Sequence, residues 1–306
     1  MDFLRNLAMR RLVKALCAFL FVGSLTADVS YWDAEMVRAY VHNSELQRRW
    51  AFSFLAPYLK EMSRDANVLD MGCGEGKITA DIAKFIPQGS IVGIDLSMAM
   101  LEWARRQYHP LEYPNLSFRE GSFLEPGVTG LFDVILSCTA FHHCTEQKRA
   151  LQQMAKLLKP TGKLLLLTPS TNNKAWSQSR RTVQSKPEWA PYWDKYRPRK
   201  FLTVEQYEEL LKEAGFRSVK IENILTMDPF VDVEELLNWF EGTFAPVMPK
   251  EIARNYYREW MEEYFRLDPE ARDERGVIYI KNGVVGIEAV LAENPAKFME
   301  SVQIYD

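Results

Sequence analysis

The segment Val68-Leu69-Asp70-Met71-Gly72-Cys73-Gly74-Glu75-Gly76 constrains this chain more than any other. Apolar residues run into glycines at alternate positions, and a helical pattern begins directly after them at Lys77. That order describes a strand that turns sharply into a helix. Glycine is needed there because the backbone must turn tightly and let a ligand approach without a Cβ in the way. The free N–H groups at the helix start favour an anionic group such as a carboxylate or phosphate. Two common nucleotide loops do not fit. A dinucleotide fingerprint puts Gly or Ala at the sixth position of G-x-G-x-x-G, where this chain has Lys77, its third glycine coming one residue early. A phosphate-binding P-loop needs Gly-Lys-Ser/Thr, and here Lys77 is followed by Ile78.

Strands and helices alternate around this loop. Ala66–Asp70, Ser90–Asp95, Leu116–Arg119, Leu131–Ser137 and Lys163–Thr168 read as strands, and Lys77–Phe85, Ser97–Gln107 and Glu146–Leu158 as helices, with Ser97 as an N-cap. Such alternation predicts an α/β fold whose parallel sheet is covered on both faces and binds ligands at the carboxyl ends of its strands. Beyond Pro169 the pattern loosens. Residues 170–200, rich in Trp, Tyr, Pro and Arg, read as an irregular lid. Thr203–Ala214 is a helix capped by Thr203 and stopped by Gly215, Phe216–Ile221 a strand, 232–268 helical, and Val284–Leu291 a last strand. A helical insertion therefore separates the two final strands. The 306 residues suit one core domain with added segments. The expected division is a signal-like or membrane-associating segment over 1–27, a helical cap over 28–60, a cofactor core over 61–168, a basic and aromatic lid over 169–200, and completion of the sheet over 201–306.

In the order of its motifs the chain resembles the class I S-adenosylmethionine-dependent methyltransferases. VLDMGCGEG is similar to their first motif, and Ile91-Val92-Gly93-Ile94-Asp95 to their second. Ser97-Met98-Ala99-Met100-Leu101, Phe132-Asp133-Val134-Ile135-Leu136-Ser137 and Leu157-Leu158-Lys159-Pro160-Thr161-Gly162-Lys163-Leu164 match the regions that follow, so the likeness spans about residues 66–168. It implies a Rossmann-like, doubly wound, mostly parallel sheet with helices on both faces, plus aromatic-rich helical cap and lid segments. It also implies an enzyme that takes a methyl group from S-adenosylmethionine and releases S-adenosylhomocysteine. By the same resemblance Asp70, Gly72, Cys73, Gly74 and Gly76 border the methionine part of the cofactor. Asp95 takes the ribose hydroxyls, which a carboxylate does by accepting two hydrogen bonds. Leu96 borders the adenine, and Ser137 is a further cofactor neighbour. Many relatives carry an acidic residue for the adenine amine after strand three. This chain has Gly121-Ser122-Phe123 instead, so Ser122 with Phe123 takes that contact, or Ser122 is a turn residue.

After strand four comes Ser137-Cys138-Thr139-Ala140-Phe141-His142-His143-Cys144. Two thiols and two imidazoles suggest a metal site, but the spacing is not that of paired Cys-x2-Cys ligands and the family pattern accounts for the His pair, so no metal is expected. His142 is expected to act on the acceptor with His143 beside it; the alternative is that both cap and pack. Tyr31-Trp32-Asp33-Ala34, Tyr40, Asn43-Ser44-Glu45-Leu46-Gln47 and Trp50 resemble the N-terminal cap of the trans-aconitate, juvenile hormone acid and malonyl-acyl-carrier-protein methyltransferases. All three methylate carboxylates, which implies Gln47 at the acceptor and Trp50 in its wall. A carboxylate is already ionised at pH 7 and needs no general base, only a cationic or amide clamp and an apolar surround. The expected acceptor is thus a small molecule, anionic, methylated on a carboxylate oxygen. The alternatives are a carbon or nitrogen methyltransferase of the ubiquinone/menaquinone type, to which the His pair is closer, a secreted effector that methylates protein, and a non-catalytic cofactor binder.

The net charge of −3 hides an asymmetry. Residues 171–200 hold Lys174, Arg180, Arg181, Lys186, Lys195, Arg197, Arg199 and Lys200 against Glu188 and Asp194, whereas 201–306 hold 22 acids against 11 bases. Arg180 and Arg197 are the expected clamp for an anionic substrate through bidentate pairing, the alternative being a surface insertion anchored by its aromatics. An acidic chain with no RNA-binding module argues against nucleic acid as a partner. Four cysteines make no disulfide framework and are expected to be reduced. Met9–Lys14, the apolar run Ala15–Gly23 and Ser24–Ala27 follow the grammar of a secretory signal, although the run is short for a membrane span. The catalytic domain is expected in the cytoplasm, with secretion or membrane contact through residues 9–27 as the alternative. Oligomeric state is not legible.

Overall fold

A computed structural model describes residues 33–170, 173–193, 201–244 and 248–292. The signal-like segment 1–27 and Arg197 lie outside the described residues. Two helices lead, α1 (Ala34–Asn43) and α2 (Glu45–Glu61). The alternating core follows: β1 (Asn67–Met71), α3 (Lys77–Ala83), β2 (Ser90–Asp95), α4 (Met98–Gln107), β3 (Leu116–Glu120), β4 (Phe132–Cys138), α5 (Gln147–Leu157) and β5 (Leu158–Pro169). Then come α6 (Lys174–Gln184), α7 (Ala190–Trp193), α8 (Val204–Glu213), β6 (Phe216–Phe230), α9 (Val233–Thr243), α10 (Lys250–Leu267) and β7 (Ile278–Leu291). The sheet order is β3-β2-β1-β4-β5-β7-β6. Strands β1 to β5 are parallel, and β7 is antiparallel to both of its neighbours.

The four leucines Leu164–Leu167 show why the sheet is buried on both faces. All are fully buried, and successive side chains point to opposite sides, so Leu165 and Leu167 enter one core while Leu164 and Leu166 enter the other. The first core is closed by α2, α3 and the helices of the insertion, and the second by α5 and α8. The expected doubly wound α/β architecture is met.

Helix ends follow the local chemistry. The Ser97 hydroxyl accepts from the Met100 N–H. Thr203 and Gln206 form a reciprocal capping box, and Gly215 takes φ +89 just past the helix end. Three expectations are corrected. Residues 174–184 are a regular helix rather than irregular chain, because Asn173 caps it and Trp176, Ser179 and Val183 give it one face toward α10. Strand β6 runs on to Phe230 and β7 begins at Ile278, so each is far longer than its apolar pattern. They pair with one another beyond Pro169, where β5 stops, and an edge strand tolerates Pro229. Strand β5 begins at Leu158, its Lys-Pro-Thr-Gly run being absorbed as an irregularity in the pairing with β4.

Candidate cofactor and acceptor site

The glycine loop crosses the carboxyl end of the sheet. Gly72 and Cys73 donate their N–H groups to the Ile94 carbonyl at 2.8 and 3.0 Å, which pins the turn to the end of β2. Gly72, Gly74 and Gly76 have φ of +78°, +55° and +80°. A Cβ placed on Gly72 would lie 2.4 Å from that of Ala140, whereas one placed on Gly74 meets nothing within 4 Å. The first glycine is required by packing, and the second borders a hollow.

Three carboxylates, Asp95, Asp70 and Glu75, lie close enough at this loop to act on one another's charge. Asp95 accepts from the Gly74 N–H at 2.9 Å and the Ser97 N–H at 2.8 Å, one on each oxygen, with the Leu96 N–H also favouring its charge. Asp70 is buried and takes the Thr79 hydroxyl at 2.7 Å. Burial pushes Asp70 up to about 7 against the pull of Thr79, and Asp95 and Glu75 add repulsion. Burial likewise raises Asp95 and Glu75. Carboxylates whose charge is disfavoured by burial are matched by a ligand bringing positive charge and hydroxyl donors. S-Adenosylmethionine brings a sulfonium, an ammonium and ribose hydroxyls, so the residues fit it.

Phe123 closes over the loop, 3.4 Å from the position of a Cβ on Gly72 and edge-on to Phe141. Ser122 accepts from the N–H groups of Leu124 and Glu125 and so shapes the turn, its own hydroxyl proton remaining to be donated. Leu96 is half-buried beside Asp95. Ser137 is fully buried at the end of β4, its oxygen without a hydrogen-bond partner. Burial raises the Cys73 and Cys138 thiols well above their ordinary range, so both stay uncharged. Thr139, which sequence reasoning passed over, has φ +54, an unfavourable region for a β-branched residue. Its N–H donates to Leu167 at 2.7 Å, and it delivers Ala140 against Gly72.

The junction between α1 and α2 is tied to this loop. The Ser44 hydroxyl donates to Glu75 at 2.8 Å and accepts from the Lys77 ammonium at 2.8 Å. Arg48 donates to Asp81 of α3 at 2.7 Å. Burial, followed by the charges of Glu75 and Asp95, raises the Tyr40 phenol well above its usual value. Gln47 lies one turn into α2, buried, with its Oε1 unpartnered. Trp50 shares its helix face and donates its indole N–H to Asp228 of β6. Glu75, Thr139 and Asp228 thus touch or shape the candidate site in ways that sequence reasoning missed. Glu75 alone left a signal, as the one charged residue between the glycines of the loop.

His142 and His143 occupy a single 3-10 turn, Phe141–His143, directly after β4. His142 is buried and stacked on Phe201, with ring centroids 5.5 Å apart, while His143 is exposed. Arg180 lies against Tyr256 of α10, where it and Gln184 pull back a phenol that burial drives up. Among the described residues, no group of three or more His, Cys, Asp or Glu is arranged to hold a metal ion. Cys73, Cys138 and Cys144 are free thiols, all buried.

A family model described as a methyltransferase domain matches residues 62–215. The chain is 30% identical over 185 residues to the trans-aconitate 2-methyltransferase of Deinococcus radiodurans, covering 58% of this chain and 69% of that protein. It is 26% identical over 258 residues to the malonyl-(acyl-carrier protein) O-methyltransferase of Halalkalibacterium halodurans, covering 80% and 92%. The YcgJ protein of Bacillus subtilis superimposes with a TM-score of 0.58 at 16% identity, over 79% of this chain and 99% of that one. The family match runs over the residues that build the loop, the acidic strand end and the turn after β4, and the chain belongs to the class I S-adenosylmethionine-dependent methyltransferases.

Proposed function

We propose that this methyltransferase acts on a small anionic molecule and transfers the methyl group to a carboxylate oxygen. The observation that carries the reading is Gln47, a buried amide with an unsatisfied end, one turn from the Ser44 tie to the glycine loop and on the face of α2 that presents Trp50. A half-turn about its last side-chain bond exchanges Nε2 and Oε1, so the amide can offer an N–H to a carboxylate. The acceptors for which the two sequence relatives are named, trans-aconitate and a malonyl group, are both carboxylates.

Bound S-adenosylmethionine supplies an electrophilic methyl group on a sulfonium. In the proposed arrangement Asp95 holds the ribose hydroxyls, Asp70, Gly72, Cys73, Gly74 and Gly76 surround the methionine end, and Leu96, Ser122 and Phe123 border the adenine. Ser137 supports the same region from β4. Gln47 orients the acceptor oxygen and Trp50 walls it. The link from Ser44 to Glu75 and Lys77 draws the cap onto the loop and keeps water out. An ionised carboxylate needs no proton removed, so His142 positions rather than abstracts. Catalysis then lies in alignment and exclusion of solvent. The work is assigned to the cytoplasm, since the cofactor is made inside cells.

A carbon or nitrogen acceptor is the second reading, favoured by the His142–His143 pair after β4. Incubation with methyl-tritiated cofactor and a metabolite extract, followed by base hydrolysis, separates them. Base-labile label in small molecules supports the ester, base-stable label supports carbon or nitrogen, and label in protein would overturn the small-molecule reading. Gln47→Ala should raise the half-saturating extract concentration about tenfold, as expected for one lost polar contact, with cofactor affinity unchanged.

A further inference from the structure

Asp228 and Trp50 are 178 positions apart in sequence, yet they meet beside Gln47. The strand register explains how. Strand β5 ends at Pro169 opposite Val284, while β6 and β7 run on as a two-stranded ribbon in which Asp228 pairs with Ile280. The ribbon thus carries Asp228 past the carboxyl edge of the sheet, the edge at which the glycine loop lies.

The Asp228 side chain is buried, and its residue is only 6% exposed. Its carboxylate is held by neutral donors: the Trp50 indole at 3.2 and 3.1 Å, the Thr226 hydroxyl at 2.7 Å and the Asn282 amide at 3.1 Å. The adjacent cation on β7, Lys281, lies on the opposite face of the ribbon by strand alternation and pairs with Asp268. Burying a carboxylate among neutral groups costs desolvation that a neutral amide in the same place would avoid. In return it makes stronger hydrogen bonds, with both oxygens facing one indole N–H, and so fixes the ring more firmly.

We infer that Asp228 is the positioning residue of the acceptor wall. It locks the indole of Trp50 and, through the shared face of α2, sets Gln47 in the pose that meets the acceptor. This rests on the reading of Gln47 and Trp50 as acceptor contacts.

The test compares Asp228→Leu, Asp228→Asn and Trp50→Phe with the wild type. Three readouts are taken: the Trp50 indole N–H signal by nuclear magnetic resonance, calorimetric affinity for S-adenosylmethionine, and the half-saturating concentration of metabolite extract in the tritium assay. Asp228→Leu should move the indole signal upfield and raise half-saturation about tenfold or more, the scale of a lost hydrogen bond to a charged group. Cofactor affinity should stay within about twofold. Asp228→Asn, which keeps an oxygen for the indole, should recover most of the loss. Trp50→Phe removes the same bond from the other side, so it and its combination with Asp228→Asn decide the matter even where Asp228→Leu does not fold. Unchanged half-saturation despite a shifted indole signal would overturn the positioning role. So would an equal loss of cofactor affinity, which marks a purely structural contact. If the wild type labels no small molecule, the acceptor reading itself fails, and with it the role given to Asp228; a bound indole signal would then mark only a structural bond.

Discussion

The glycine-loop half of the site and the acceptor-wall half are built by different means. Around the loop, backbone N–H groups and positive φ angles between Gly72 and Ser97 do the shaping, and the segments involved are near neighbours in sequence. In the acceptor wall, side chains do it. Gln47, Trp50, Thr226, Asp228 and Asn282 come from three distant elements and meet only when the sheet is complete. The contrast teaches where each half is vulnerable. The loop is sensitive to any Cβ that fills space meant for backbone or ligand, and the wall to loss of one polar atom.

The largest expected effect tests the loop. Gly74→Arg should reduce S-adenosylmethionine binding by at least about 100-fold in calorimetry, because the side chain would fill the hollow beside Gly74. The left-handed φ alone costs only about 1–2 kcal/mol, so the variant should remain folded. Wild-type affinity in this variant would move the cofactor elsewhere.

A smaller effect sharpens the electrostatic side of the comparison. With Asp70 at about 7 in the folded chain against an ordinary value of 3.8, the folded state holds a proton that the unfolded state has lost. The contribution of this group to stability is complete below pH about 4 and is lost as the pH rises toward 7. Asp70→Asn removes that dependence. In the cofactor-free protein, the fall in Tm between pH 5 and pH 7.5 should be shallower for the variant than for the wild type in scanning calorimetry.

The smallest effect provides the reference. Thr203→Ala breaks a capping box on α8, and should cost about 1 kcal/mol, or about 2–4 °C in Tm. Cofactor affinity should not change. A shift in affinity would mean that the second core communicates with the loop.

The same division explains what could be read from sequence. The loop, the acidic end of β2 and the parallel core were legible because glycine spacing and strand ends are local signals. Ser97 and Thr203 as caps and Gly215 as a helix stop were legible for the same reason. Asp228 was not, since Thr226-Met227-Asp228-Pro229 has neither apolar continuity nor a favourable strand composition. It is a strand only because β7 pairs with it. The helix at 174–184 was hidden by a face with few apolar residues, and Thr139 by a backbone angle that no residue type announces. Glu75 stood in plain view, but its partner Ser44 lies 31 positions away.

The position of β7 between β5 and β6 also sets when the chain can finish folding. Strand β5 is complete at residue 169, whereas its second neighbour begins at residue 278. At ordinary synthesis rates that interval lasts roughly 5–20 s. Throughout it the Leu164–Leu167 strand has one bare edge, and β6 cannot fill it because β6 joins the sheet only through β7. A bare apolar edge is a template for pairing with other chains. The nascent protein should therefore be most prone to aggregate, and most dependent on chaperones, while its insertion is being made.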